Sequence, residues 1–502
     1  MFVGFDIDLI LLKLYNTKRV YKIRRNGKMF DVVIIGAGVV GGMIARKLSG
    51  YNLSICLVEK ESDVAMGATK ANSAIIHAGF DAAVGSLKAK LNVRGSEMME
   101  NVARELGVKY RRNGSMVLAF NDEEKTVLDG LLERGVKNGV EGMRIIDSDE
   151  LHRLEPNITD DVKYALLAPS GAIICPYELA IAAVGNAMDN GCELKTEYNV
   201  KNIINDGDCY LISDGENEIR SRYIVNCAGV YSDAIATLVG DTSFSVTPRR
   251  GEYMLVDKEF GTVVNHTLFR VPSKMGKGIL VSPTVDGNLL LGPTSEDIED
   301  KSDVSTTALG LDTILKSVYE TIKNPPSRSV ITSFCGLRST PDTGDFVINV
   351  PCERFVNAAG IESPGLSSSP AIAEYVAELL SGAGLVLEKK EDYNPIREPS
   401  HKFREMSLEE KNRFIAENPA YGRYICRCEE VSEGEIIAAI HTNPPARNLD
   451  AVKRRTRSGM GRCQGGFCSP SIVSILAREL GIPFENVTKS GEGSIINFER
   501  TK

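Results

Sequence analysis

Phe30-Asp31-Val32-Val33-Ile34-Ile35-Gly36-Ala37-Gly38-Val39-Val40-Gly41 is the stretch that decides how this chain folds. The apolar run from Phe30 to Ile35 reads as a buried parallel strand that ends at Gly36. A helix pattern follows through Leu48, and Ser54 to Glu59 makes a second strand, so the opening is a βαβ unit. The glycines fall in the G-x-G-x-x-G pattern. Gly36 permits the tight turn, Gly38 lets backbone approach a pyrophosphate, and Gly41 lets helix and strand pack closely. The helix N-terminus offers N–H groups and partial positive charge to phosphates. Glu59 ends the second strand 18 residues beyond Gly41, where a carboxylate accepts from ribose hydroxyls.

Working outward, further βα signals occur at Arg222 to Val225, before Cys227-Ala228-Gly229, and at Arg354 to Asn357, before Ala358-Ala359-Gly360. Stretches rich in β-formers and turns, notably Tyr253 to Asp257 and Gly278 to Gly292, read as a mostly antiparallel sheet inserted between pieces of the nucleotide domain. Its main insertions span about 80–165 and 245–330, within a domain of 29–385. Residues 386–422 are charged and carry Pro395, Pro399 and Pro419, which reads as a linker. A compact domain of 423–485 and a tail of 486–502 follow. Residues 1–28 join a short apolar run to a basic stretch, with Asp6 and Asp8 interrupting the former and no small-residue cleavage site. They read as a non-native or disordered extension, with Met29 the working initiator.

The chain has 502 residues, enough for two or three cores, and a formal net charge of -8, which does not invite nucleic acid or an anionic membrane surface. No window is apolar enough for a transmembrane segment. Eleven cysteines without a secretion signal point to a reducing cytosol and to metal or redox use. A cytoplasmic protein is expected, with peripheral attachment at the inner face of the membrane as the alternative placement.

The run Gly67-Ala68-Thr69-Lys70-Ala71-Asn72-Ser73-Ala74-Ile75-Ile76-His77-Ala78-Gly79-Phe80 resembles the flavin-contacting segment of the D-amino-acid-oxidase-like superfamily. Within it, the segment is most similar to glycerol-3-phosphate dehydrogenases and oxidases and to L-2-hydroxyglutarate oxidoreductases. Gly85-Ser86-Leu87-Lys88-Ala89-Lys90-Leu91, Gly336-Leu337-Arg338 and Gly360-Ile361-Glu362-Ser363-Pro364-Gly365-Leu366 continue the resemblance in order. It implies a Rossmann-like FAD domain with an inserted mostly antiparallel substrate domain, an α/β plus α+β architecture. FAD contacts are implied at Gly36, Gly38, Gly41, Glu59, Lys60, Thr69, Asn72, Ser73, Gly229, Gly360, Gly365, Leu366 and Ser367. Independently, Ser367-Ser368-Ser369-Pro370 reads as a helix start, with Ser at the cap and Pro in the first turn. Such a terminus stabilises negative charge developing on a reduced flavin.

Oxidising a secondary alcohol with flavin requires hydride transfer and a base for the hydroxyl proton. Histidine suits the second role, its ordinary pKa being about 6.5. His77 lies in the flavin segment and matches the family's catalytic position. Arg338 matches the family arginine for substrate phosphate or carboxylate, and its fork of donors suits either anion. Ser363 matches a further anchor, and Lys277, in a glycine-flanked turn, is a weaker candidate. The implied substrate is a small anionic hydroxy compound: sn-glycerol 3-phosphate, or alternatively L-2-hydroxyglutarate. A role as the electron-transfer or regulatory subunit of a flavoprotein complex is the alternative of another class.

Cys426-Arg427-Cys428, 34 residues, then Cys463-Gln464-Gly465-Gly466-Phe467-Cys468 place four thiolates in two pairs. Four thiolates hold a [2Fe–2S] cluster, and neighbouring glycines admit N–H groups to the sulfurs. Zinc is the rival, although its structural sites favour wider Cys-x2-Cys to Cys-x4-Cys spacings. Ser432 and Glu435 have capping-box spacing, so a helix should follow the first pair. The motif resembles the bacterioferritin-associated-ferredoxin-like domain, a small helical iron–sulfur domain. The basic run Lys453, Arg454, Arg455 and Arg457 reads either as a dock for an acidic partner, such as an electron-acceptor subunit or partner flavoprotein, or as a solvated helix face.

Overall fold

The first strand, Met29–Ile35, pairs in parallel with Ile55–Val58 on one side and Glu218–Asn226 on the other. This is a computed structural model, and it describes residues 28–271, 278–398 and 403–499. The expected N-terminal extension falls outside the described residues apart from Lys28. Glu193–Lys195 and Phe355–Ala359 extend the parallel core, and Asn202–Asn205, Tyr210–Ser213 and Val347–Cys352 add antiparallel edges, making eight strands. Helices Val39–Leu48, Pro176–Asp189 and Gly365–Gly382 bury apolar faces beneath this sheet, with Ile44, Leu48, Ala180, Val184, Ile372 and Val376 in the core.

A second sheet of nine strands carries the inserted residues. Its ladders are antiparallel except where Thr267–Arg270 runs parallel to Ser115–Ala119. That exception arises where strands from the two separate insertions meet. The strand Val330–Pro341 pairs with Val246–Val256 from Val246↔Pro341 to Val256↔Val330. The substrate sheet therefore continues past residue 330, the boundary expected from sequence, and includes Arg338. A small sheet of Ile75–Ile76, Ala172–Ile174 and Tyr110–Arg111 connects the two layers.

The expected linker is instead a packed strap. Arg397 N–H donates to Glu105 O at 2.8 Å, and the Asn186 and Asn190 amides donate to Asn394 O at 3.0 and 2.9 Å. Beyond it lies a helix, Leu408–Glu417, started by a capping box between Ser407 and Glu410. The C-terminal unit packs Glu433–His441, Leu449–Thr456 and Ser469–Leu480 around Ile436, Ile440, Val452, Ile472 and Leu476. Its first helix starts with the expected Ser432–Glu435 box.

Three arginines of the basic run are engaged within the molecule, not on a solvated face. Arg454 and Arg455, their side chains only 7% exposed, clasp Asp63 of the flavin domain at 2.6 and 2.8 Å. Arg457 bonds Glu429 at 2.9 Å within its own unit and Asp286 of the substrate sheet at 2.8 Å. Arg404 reaches the same two carboxylates at 3.0 and 3.2 Å. Burial would raise the Asp63 carboxyl, but the Arg455 and Arg454 guanidiniums outweigh it and hold the group below its ordinary 3.8. Asp63 thus contributes docking stability that is complete above that ordinary value and is lost as pH falls through the depressed one. Asp63→Ala strands two buried cations, at a cost of about 3–5 kcal/mol. Calorimetry at neutral pH should show a lower unfolding temperature for the variant, the gap closing in strong acid. Equal midpoints at neutral pH would remove Asp63 from the interface's stability.

Candidate active site and cluster centre

At the start of the nucleotide cleft two glycines are dictated by backbone contact. Gly36 has φ +106°, and a Cβ there would stand 2.4 Å from Cys227 O. A Cβ on Gly41 would stand 2.0 Å from Gly36 O. Gly38 differs. The nearest atom to its Cβ position is Thr69 Oγ1 at 3.2 Å, a side-chain oxygen, so the protein itself demands glycine less strictly there. The helix it opens has no side-chain cap and no acid in its first turn, leaving a cradle suited to a pyrophosphate. Val39 N–H donates to Thr69 Oγ1 at 3.0 Å, which pins the flavin segment to this terminus.

Glu59 accepts from Ala37 N–H at 2.8 Å and Glu61 N–H at 3.1 Å. Burial nonetheless raises its carboxyl above the ordinary value. Lys60 turns away to cover the Tyr231 ring at 4.1 Å. Asn72 shapes the flavin segment itself, donating to Thr69 O at 2.9 Å and accepting from Ala74 N–H at 2.8 Å. Gly229 and Gly360 both sit at the cleft with positive φ, +58° and +59°.

The second helix start differs from expectation. The helix Gly365–Gly382 begins before Ser367, with Pro364 at the cap and Pro370 inside it. Pro370 has no N–H for Leu366 O, and the Ser369 hydroxyl donates to that carbonyl at 2.9 Å. Ser367 is therefore no cap. Its fully buried hydroxyl accepts from His77 N–H at 2.8 Å and donates to Ile75 O at 3.4 Å. Gly365 and Leu366 occupy the first turn, which carries no acid.

His77, Arg338 and Ser363 come together on a cavity of about 910 Å³. His77 follows the short strand Ile75–Ile76, its Nε2 3.4 Å from Ser363 Oγ and its ring tilted against Phe269, centroids 5.8 Å apart. Charge compensation separates the cavity's cations. Arg249 is held by Asp297 at 2.6 and 3.0 Å, Arg270 by Glu320, and Lys88 by Glu362 at 2.8 Å. Among the described residues no carboxylate lies within ion-pair distance of Arg338, whose Nη2 donates to Thr294 O at 3.1 Å. Lys277 lies outside the described residues.

Sequence reasoning missed Tyr253 as a site residue. Its phenol lies 3.1 Å from Ser73 Oγ and interacts with Arg338, and its ring stacks on Phe334 at 4.9 Å. Burial raises the phenol above its ordinary value, keeping it protonated. No local signal marked it, because its pairing with the arginine strand joins residues about 80 apart in sequence.

The four C-terminal thiols gather as two pairs. Cys428 and Cys463 Sγ lie 3.8 Å apart toward solvent, whereas Cys426 and Cys468 are buried. A hydrogen bond from Cys468 lowers Cys426 to about 6 despite burial, helped by the N–H groups of Gly459 and Glu429. N–H groups of Phe467 and Gly465 face Cys463. Four sulfurs backed by backbone donors suit the thiolates of an iron–sulfur cluster.

Comparison with known proteins agrees with this chemistry. The FAD dependent oxidoreductase family matches residues 31–379, and the BFD-like [2Fe-2S] binding domain matches residues 424–478. A glycerol 3-phosphate dehydrogenase of Caloramator mitchellensis is 48% identical, covering 94% of this chain and 99% of its own length. An L-2-hydroxyglutarate dehydrogenase of Homo sapiens is 34% identical over 53% of this chain and 61% of its own. The structure of dithionite-reduced L-alpha-glycerophosphate oxidase from Mycoplasma pneumoniae, with FAD bound, superposes with a TM-score of 0.71 at 31% identity, covering 74% of this chain and 99% of that one. No helix among the described residues is long and apolar enough to cross a membrane. The fold, the glycine cradle and the paired thiols thus make this chain a member of the FAD-dependent oxidoreductase family, an enzyme whose cofactors are FAD and a [2Fe–2S] cluster.

Proposed function

We propose that the enzyme oxidises sn-glycerol 3-phosphate to dihydroxyacetone phosphate and that its electrons leave through the iron–sulfur domain. The observation that carries this reading is the pairing, across one cavity, of an imidazole with an arginine that has no carboxylate partner among the described residues. FAD supplies the hydride acceptor. The chain's own groups do the rest. Arg338 binds the phosphate through its fork of donors, with the protonated Tyr253 beside it. His77 Nε2 takes the hydroxyl proton as the carbon gives up hydride, and Ser363 Oγ, 3.4 Å away, orients the ring. The start of Gly365–Gly382, with no side-chain cap and no acid in its first turn, would stabilise negative charge on a reduced flavin held there. Apolar walls such as Phe80 and Phe269 limit water at the reacting carbon.

L-2-hydroxyglutarate is the second reading, because a carboxylate suits Arg338 equally well. The 48% identity to a glycerol 3-phosphate dehydrogenase across nearly the whole chain favours the phosphate. A subunit that only transfers electrons has no use for such a cavity. The reading places the enzyme in the cytoplasm, with an electron-acceptor partner and with peripheral attachment at the inner membrane face as the mode of membrane contact.

Anaerobic mixing with a panel of polyol phosphates and 2-hydroxy acids should bleach the flavin fastest with sn-glycerol 3-phosphate. Faster bleaching by L-2-hydroxyglutarate would reverse the assignment, and bleaching by none would favour the subunit role. His77→Ala should retain FAD yet slow flavin reduction by about 10²-fold or more, the scale of a lost general base. Reduction at the parent rate would exclude His77 as the base. Arg338→Lys should chiefly weaken substrate binding, since a point charge replaces a bidentate fork. Unchanged half-saturation in single-turnover reduction would move the anion site elsewhere.

A further inference from the structure

Tyr177 joins the flavin segment to the peptide that carries the cluster thiols. Its helix, Pro176–Asp189, follows the strand Ala172–Ile174, which pairs with Ile75–Ile76. Ile174 N–H donates to Ala74 O of the flavin segment at 3.0 Å. On its other side the Tyr177 hydroxyl donates to Met460 Sδ at 3.4 Å and accepts from Arg457 Nη1 at 3.4 Å. Met460 follows Gly459, whose N–H faces Cys426 Sγ. Arg457 continues to Glu429, the residue after Cys428, at 2.9 Å. An unbroken run of covalent bonds, hydrogen bonds and one hydroxyl–thioether contact thus leads from beside His77 to the buried pair of thiols.

Electrons tunnel more readily through bonded and packed atoms than across gaps, so such a run matters for a redox protein. We propose that Tyr177 and Met460 form the bridge by which electrons pass from the flavin to the inner edge of the cluster. The solvent-facing Cys428 edge then delivers them outward. The inference rests on the electron-transfer reading above and names its route. Each alcohol oxidised releases two electrons and two protons. His77 receives one proton, and the other is released as the flavin is reoxidised. A [2Fe–2S] cluster held by the four thiols would pass the two electrons singly, each to a one-electron acceptor. Burial keeps the Tyr177 phenol protonated, so the bridge carries charge without exchanging a proton.

Full-length Tyr177→Phe and Met460→Leu proteins, loaded with both cofactors, test this. After anaerobic mixing with sn-glycerol 3-phosphate, flavin bleaching should match the parent, while the paramagnetic signal of the reduced cluster should rise several-fold more slowly in each. Iron content and cluster potential should be unchanged. Arg462→Ala breaks a different contact of the same interface, to Asp257 at 2.7 Å, and should behave as the parent. Parent-rate cluster reduction in both bridge variants would overturn the route. So would equal slowing in Arg462→Ala, or loss of iron from the bridge variants, because either makes Tyr177 a support of docking or of the cluster. A parent whose flavin is reduced while its cluster stays oxidised would overturn the electron-transfer reading, and the bridge with it.

Discussion

The chemistry of this protein depends on a clamp around residues 68–77. From one side the strand carrying Arg338 presses so close that a Cβ on Gly336 would stand 1.8 Å from Ala71 O. From the other, the buried Ser367 hydroxyl bonds both Ile75 O and His77 N–H. His77, Arg338 and the helix terminus are therefore positioned by backbone and one short buried hydroxyl, not by long flexible side chains. A site held in this way loses little entropy when substrate arrives, which is where preorganised catalysis gains.

The second constraint is electrostatic. Asp63, Glu429 and Asp286 are each nearly inaccessible, and each meets two or more cations. Buried ion pairs are weak sources of net stability but severe penalties when broken. Their effect here is to fix one docking geometry for the cluster domain, since any slide strands a charge. The proposed passage of electrons from flavin to cluster would benefit from that rigidity, because the separation between the two centres sets its rate. The packed strap of residues 386–398 acts in the same direction.

Exposure divides the cluster thiols in a functionally useful way. Cys426 and Cys468 lie inward beside Gly459 and Glu429, while Cys428 faces solvent and Phe467, 88% exposed, stands next to Cys468. One pair is thereby sunk in the core of the C-terminal unit and the other opens toward solvent.

The sequence alone determined the local elements whose physics is short-ranged. The βαβ opening, the glycine turn at Gly36, the acid at Glu59, the Ser432–Glu435 cap and the paired thiols are all written within a few residues of one another. Resemblance added the flavin segment with His77, Arg338 and Ser363, which the fold does bring to one cavity. Features that depend on partners far along the chain were decided by tertiary structure. Ser367 looked like a cap because Ser and Pro favour helix starts, but its hydroxyl is used by a strand 290 residues away, which local propensity does not encode. Arg454, Arg455 and Arg457 looked like a solvated or partner-binding face, because the carboxylates that bury them come from Asp63 and Asp286 on other domains. Tyr253 and Tyr177 carried no motif. Their roles follow only from what the folded chain places beside each hydroxyl, because a hydrogen bond between distant residues exists only once the chain has closed.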